Sequence, residues 1–168
     1  SHNIVSNIKA GKGVAPVLKM LERGVDVGLG TDGPMSGNTL DMMGLLGYTA
    51  KLQKLAQLDR QVMPAKTVVE MATIGGARAL HMQDRIGSLE EGKLADIVIV
   101  DTHSVHMIPM YDVYSALVYA AKAEDVRSVI VHGRLVVDNH RVLTVDVEKV
   151  KRDVLKLTTW IAAKAAEL

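Results

Sequence analysis

The segment from Val14 to Pro34 constrains this chain most, because it changes period from helix to strand and ends on a turn. Val14, Val17, Leu18 and Leu21 fall at helical spacing, with Pro16 suited to a first helical turn and Gly24 to a cap. Directly after them Val25, Val27 and Leu29 alternate with Asp26, Gly28 and Gly30, and the pattern stops at Thr31-Asp32-Gly33-Pro34. A helix that feeds a strand in this way is α/β grammar. Parity puts Asp32 in step with Gly28 and Gly30. If the bulky side faces the helices, Asp32 points to the opposite, enclosed side at the strand's C-terminal end.

The rest of the chain divides in character. A helical stretch rich in Leu and Met is predicted from Asn38 to about Leu58. A second follows Pro64 through Val68, Val69 and Met71 to Gly75-Gly76, with a short turn from Ala77 to Leu80. The apolar run Ile97-Val98-Ile99-Val100 predicts a buried strand bounded by turns. Val126–Val131 and Arg134–Val137 predict a hairpin around His132-Gly133, with Arg141-Val142-Leu143 as a further short strand. Val147, Val150, Val154, Leu157 and Ile161 predict a final amphipathic helix, N-capped by Asp146, whose stripe docks on the body of the protein.

Composition narrows the chemistry. With 48% of its 168 residues apolar, the chain can bury a core. A net charge of +1 without blocks of like charge gives no footprint for nucleic acid or an anionic membrane. No apolar run spans a bilayer and no leader is visible, so a soluble, cytoplasmic protein is expected. Cysteine is absent, so disulfides and thiolate zinc sites are excluded and any metal falls to His, Asp or Glu.

The titratable residues are then weighed one by one. A carboxylate at the C-terminal end of a barrel strand can ligate a divalent metal and take a proton from its water. By spacing alone, however, Asp before Gly is an ordinary turn element that bonds its own backbone. His103 and His106 have clip-like spacing but follow a strand into loop, and read as ordinary loop histidines. His2 reads as a structural hydrogen-bonding residue, and His81, His132 and His140 as turn or surface residues. Gly11-Lys12-Gly13 has the wrong spacing for a phosphate loop, and Met20, Met35, Met42 and Met43 read as core filling.

Taken in order, Ser1-His2-Asn3-Ile4-Val5-Ser6-Asn7-Ile8-Lys9, Gly24-Val25-Asp26-Val27-Gly28-Leu29-Gly30-Thr31-Asp32-Gly33 and Ser36-Gly37-Asn38-Thr39-Leu40-Asp41 form a series. It continues through Ala72-Thr73-Ile74-Gly75-Gly76-Ala77-Arg78-Ala79-Leu80 and Ile86-Gly87-Ser88-Leu89-Glu90-Glu91-Gly92-Lys93-Leu94-Ala95-Asp96. This series resembles the C-terminal portion of the amidohydrolase superfamily, in the branch that holds methylthioadenosine/S-adenosylhomocysteine deaminase, guanine deaminase and the triazine chlorohydrolases. It is most similar to the first.

The resemblance implies a metal-dependent (β/α)8 barrel and a small β-sandwich. Residues 1–85 would supply the last strand–helix units of the barrel. A small β module would follow over 86–145, with a barrel-associated segment around 109–124, and then a terminal helix over 146–168. It implies a hydrolytic deaminase of aminopurine nucleoside-type substrates that uses one divalent metal, usually zinc, to activate water. Guanine deaminase or triazine chlorohydrolase chemistry is the alternative within the class. Asp32 would be metal ligand and catalytic group. Ser6 and Asn7 would lie at the site rim without an assigned role, and Ser36 and Asn38 near the substrate. The family's His-x-His pair, two later metal histidines and acidic proton donor belong upstream of Ser1, which itself is not a methionine. The expectation is therefore a fragment, inactive and metal-free alone, whose partners are a small-molecule substrate, the missing N-terminal half of the barrel and a possible second copy. A non-catalytic assembly module is the alternative of another class.

Overall fold

The computed structural model describes residues 4–166. Six helices come first, then a strand, a short helix, three strands and a last helix: α1 (Ile4–Lys9), α2 (Val17–Glu22), α3 (Pro34–Gly37), α4 (Met42–Gln57), α5 (Ala65–Ala72), α6 (Ile74–Ala79), β1 (Ile97–Val100), α7 (Val113–Ser115), β2 (Val126–Val131), β3 (Arg134–Asp138), β4 (Arg141–Val142) and α8 (Val147–Ala165). No helix among the described residues is long and apolar enough to cross a membrane.

The helical part is organised around one apolar cluster. Val17 of α2, Leu46 and Ala50 of α4, Val68 and Met71 of α5, and Met63 and Val118 from connecting segments form one buried cluster with Val27. Helix α4 starts at Met42 rather than Asn38, because Asp41 caps it by accepting the Gly44 amide at 3.0 Å. Asn38 instead closes α3 in a left-handed conformation. Buried Gln53 of α4 donates to the Ala15 carbonyl at 3.0 Å, tying the loop before α2 to the core. Helix α1 was not foreseen by the apolar spacing; it is a short helix anchored by fully buried Ile4 and touches α3 and α4.

The predicted strand at Val25–Leu29 is only partly formed. Among the described residues it has one bridge residue, Leu29, and no ladder. Val27 is buried and Leu29 packs on the same cluster, but Val25 is exposed and Gly28 is buried too, so the alternation does not separate a buried face from an open one. Gly28, on the opposite parity, is not facing open space: a Cβ there would sit 2.9 Å from Gly76 Cα of α6. Arg78 of α6 donates to Asp26 at 2.9 Å, a second tie between the same two segments.

The four strands form one antiparallel sheet in the order β1-β2-β3-β4. The β2–β3 and β3–β4 connections are tight turns with positive φ at both central residues, His132 and Gly133 and then Asn139 and His140. That geometry matches the twist of paired strands, and it explains why the hairpin was legible. Asp96 accepts the His132 amide at 2.6 Å, which links the entry of β1 to the first turn.

Met20, Met35 and Met42 are exposed rather than core-filling, and two further expectations about burial change. Val98 and Ile99 of β1 are exposed, so the apolar run makes a strand but not a buried one. Helix α8 forms with Asp146 as its cap, yet none of its residues is buried and its stripe does not dock on the described body. In both places apolar side chains lack covering atoms among the described residues.

Candidate active site

Asp32 lies directly after the Val25–Gly30 segment and before α3. Its φ is 62°, a left-handed conformation that Asp tolerates better than most residues. The Asp32 Oδ1 atom accepts the Gly33 amide at 2.7 Å, and the Thr31 hydroxyl donates to the Asp32 carbonyl at 3.1 Å. The side chain is exposed. The turn bond anticipated from Asp-Gly spacing is therefore present, and it fixes the carboxylate at a chain reversal.

Ser36 lies within α3 and is half-buried, with its amide bonded to the Gly33 carbonyl at 3.0 Å. Asn38 follows at φ 60°, its amide bonded to the Pro34 carbonyl at 2.8 Å. These bonds make 33–38 a closed turn that carries both residues. Lys9, not singled out by the sequence, reaches this turn from α1. Its Nζ donates to the Met35 carbonyl at 2.8 Å and to Asn38 Oδ1. Its signal in the sequence is only its place at the end of the first motif. Asn7 is half-buried in α1, where its carbonyl accepts the Lys12 amide. His2 lies outside the described residues.

Among the described residues His103 and His106 do not form a metal clip. His103 pairs with Asp101 at 2.7 Å, whereas His106 pairs with Asp125 at 2.7 Å. His81, His132 and His140 all occupy left-handed turn positions. Among the described residues Asp125 is the most deeply held carboxylate, only 2% exposed. Burial alone would raise its pKa, but donors from His106, Ser104 and the Lys122 amide outweigh that and hold it at about 2. Asp125 precedes an apolar strand, where spacing gives no hint of a buried charge.

Among the described residues no group of three or more His, Cys, Asp or Glu side chains could hold a metal. A catalytic zinc takes three protein ligands and an open position. The described residues gather no such set around Asp32. A concavity of about 930 Å³ between β4 and α8, lined by His140, Arg141, Asp146 and Glu148 among others, does not include Asp32.

Comparison with known proteins defines the class. Residues 1–136 match the profile of the Amidohydrolase family, and the chain belongs to that family. A 5-methylthioadenosine/S-adenosylhomocysteine deaminase from Syntrophobacter fumaroxidans is 54% identical over 149 residues, covering 89% of this chain and 34% of that protein. A 5'-deoxyadenosine deaminase from Methanosarcina acetivorans is 46% identical over 165 residues, covering 98% and 38%. A crystal structure of an adenosine deaminase from Xanthomonas campestris with bound zinc superposes with a TM-score of 0.92 at 34% identity, covering 96% of this chain and 37% of that one. The chain therefore spans little more than a third of the length of the relatives it matches.

Proposed function

We propose that this chain is the C-terminal portion of a hydrolytic deaminase acting on aminopurine nucleosides of the methylthioadenosine and S-adenosylhomocysteine class. The observation that carries the reading is the 54% identity to a deaminase of that name over 89% of the chain. The likeness to a zinc-bound adenosine deaminase supports a divalent metal, with zinc as the first choice.

In this reading residues 1–85 complete a (β/α)8 barrel, residues 86–145 belong to a small β domain, and residues 146–168 form the terminal helix. The exposed apolar residues Val98, Ile99, Val150, Val154 and Leu157 support it, since such surface ordinarily has a covering partner. The remaining metal ligands belong to polypeptide beyond this sequence, and the chain alone is inactive.

Asp32 then has two roles. It contributes one oxygen ligand, and its carboxylate accepts a proton from the attacking water and returns it to the departing amine. A zinc ion, when bound, makes a water acidic enough to act as a nucleophile near neutral pH. The turn bond from Gly33 fixes the carboxylate for this task, since a proton acceptor must be held within hydrogen-bond reach of its donor. Ser36 and Asn38, on the turn that follows, contact the substrate.

The test is ammonia release from methylthioadenosine by the complete enzyme, with metal content measured in parallel. Asp32→Ala is expected to abolish turnover and to lower bound metal. Normal turnover in that variant would overturn the assignment.

A further inference from the structure

We propose that Lys9 is a positioning residue that locks the turn behind Asp32 and orients Asn38 so that its amide NH2 is the group presented to substrate. The proposal rests on the functional reading above. Its geometry is independent of it.

A lysine ammonium has three donors and no acceptor. The Asn38 atom facing Lys9 Nζ is therefore the amide oxygen, and the planar amide turns its NH2 away from the lysine. Asn38 would then recognise an acceptor on the ligand, such as a heteroaromatic ring nitrogen or a sugar oxygen, rather than a donor. A second bond from the same ammonium, to the Met35 carbonyl at 2.8 Å, keeps the lysine from following Asn38 if that side chain rotates.

The support behind Lys9 is firm at one end. Ile4, in the first turn of the same helix, is fully buried, and the helix touches both α3 and α4. The turn itself is closed by bonds from the Ser36 and Gly37 amides to the Gly33 carbonyl at 3.0 and 3.2 Å, and from the Asn38 amide to the Pro34 carbonyl at 2.8 Å. Lys9 crosses from α1 to this turn and bonds it at two atoms. Both links are solvent-exposed, so their net worth to global stability is small. Their effect is the order of six residues that begin one position after Asp32.

Two measurements decide the matter. In this chain, amide hydrogen exchange at Ser36, Gly37 and Asn38 is expected to speed up by about tenfold in Lys9→Met, the loss matching one ordinary hydrogen bond. Exchange in Lys9→Arg, whose fork can reach two oxygens, is expected to stay near the parent value. Unchanged exchange in Lys9→Met overturns the clamp.

In the complete enzyme, Asn38→Asp keeps an oxygen for Lys9 and removes the NH2 donor. It is expected to raise KM for methylthioadenosine by about tenfold while kcat changes less, the pattern of lost uniform binding. Lys9→Met should move KM in the same direction and Lys9→Arg should rescue it. An unchanged KM in Asn38→Asp overturns the donor role. A complete enzyme that binds metal but releases no ammonia from any aminopurine nucleoside defeats the deaminase reading alone, because the exchange result still decides the clamp.

Discussion

Gly28 and Gly76 meet backbone to backbone, so closely that a Cβ added to Gly28 would lie 2.9 Å from the Gly76 Cα. The contact sets how the segment that ends in Asp32 lies on α6. Neighbouring Gly75 is as tightly placed, since its own Cβ would sit 2.8 Å from the Glu70 carbonyl and 3.4 Å from that of Val27. Backbone atoms cannot swing aside as a long side chain can. Gly28→Ala is therefore expected to destabilise the chain by roughly 1–3 kcal/mol, the usual cost of overpacking a filled site. Urea denaturation reads it, and a change below about 0.5 kcal/mol would show that α6 yields freely.

The same contact shows what the sequence could and could not disclose. A period of two, an intrinsic property of extended backbone, marks Val27 and Leu29 as core-facing, whereas Val25 at the start of the segment is exposed. It could not disclose that the glycine side is occupied by another glycine, since Gly28 and Gly76 are 48 positions apart. The β turn at His132-Gly133 was legible because the turn chemistry is local. Asp32 was legible as a turn residue for the same reason, and as a chemical residue only through the ordered motifs around it. Asp125 was not legible at all: its partners Ser104 and His106 arrive from about twenty residues away. The apolar stripe of α8 was read correctly as a stripe, but amphipathicity says which face is apolar and not what covers it.

Helix α8 leads to a second prediction. None of its residues is buried, and its internal support is a cap at Asp146 with ion pairs such as Lys149 to Asp153 at 2.8 Å. Exposed pairs of this kind contribute a few tenths of a kcal/mol each. Removing residues 147–168 is thus expected to change the stability of the remaining chain by less than about 0.5 kcal/mol, as for surface changes that touch no core. Chemical denaturation followed by exchange at the α4 amides measures it. A loss of several kcal/mol would mean that the helix packs on the body in solution.

A third concerns acid. The Asp125 carboxylate accepts from Ser104 Oγ at 2.7 Å, from His106 Nε2 at 2.7 Å and from the Lys122 amide at 2.8 Å. Its pKa falls from 3.8 to about 2 in the folded chain, despite the opposing effect of burial. A group whose folded value is depressed stabilises the fold above its unfolded value and loses that contribution as pH falls through the folded value. The contribution of Asp125 is therefore complete above pH 3.8 and disappears toward pH 2. Asp125→Ala also strands three donors, and is expected to cost about 2–4 kcal/mol at pH 6. The gap between the two proteins should narrow as pH drops from 5 to 2.5. A gap that stays constant over that interval would assign the cost to packing rather than to the charge.

The last prediction separates the two roles of Asp32, turn-former and reactive group. Asn at this position can keep the turn: its side-chain oxygen can accept the Gly33 amide, and Asn tolerates a φ of 62° as well as Asp does. Asp32→Asn is therefore expected to leave stability within about 0.5 kcal/mol. It nevertheless removes the negative charge and the proton-accepting oxygen, so turnover by the complete enzyme should fall by about 10²–10⁴-fold, the range for loss of a general base. Asp32→Ala loses the turn bond as well and leaves a side chain without a local hydrogen-bonding group in left-handed backbone, which adds roughly 1–2 kcal/mol of destabilisation. Denaturation midpoints and turnover measured on both variants form a two-by-two comparison. Equal stability losses in the two would show that the Gly33 bond holds nothing in place. Full turnover in Asp32→Asn would show that the carboxylate takes no part in the reaction, because the turn it forms is intact in that variant.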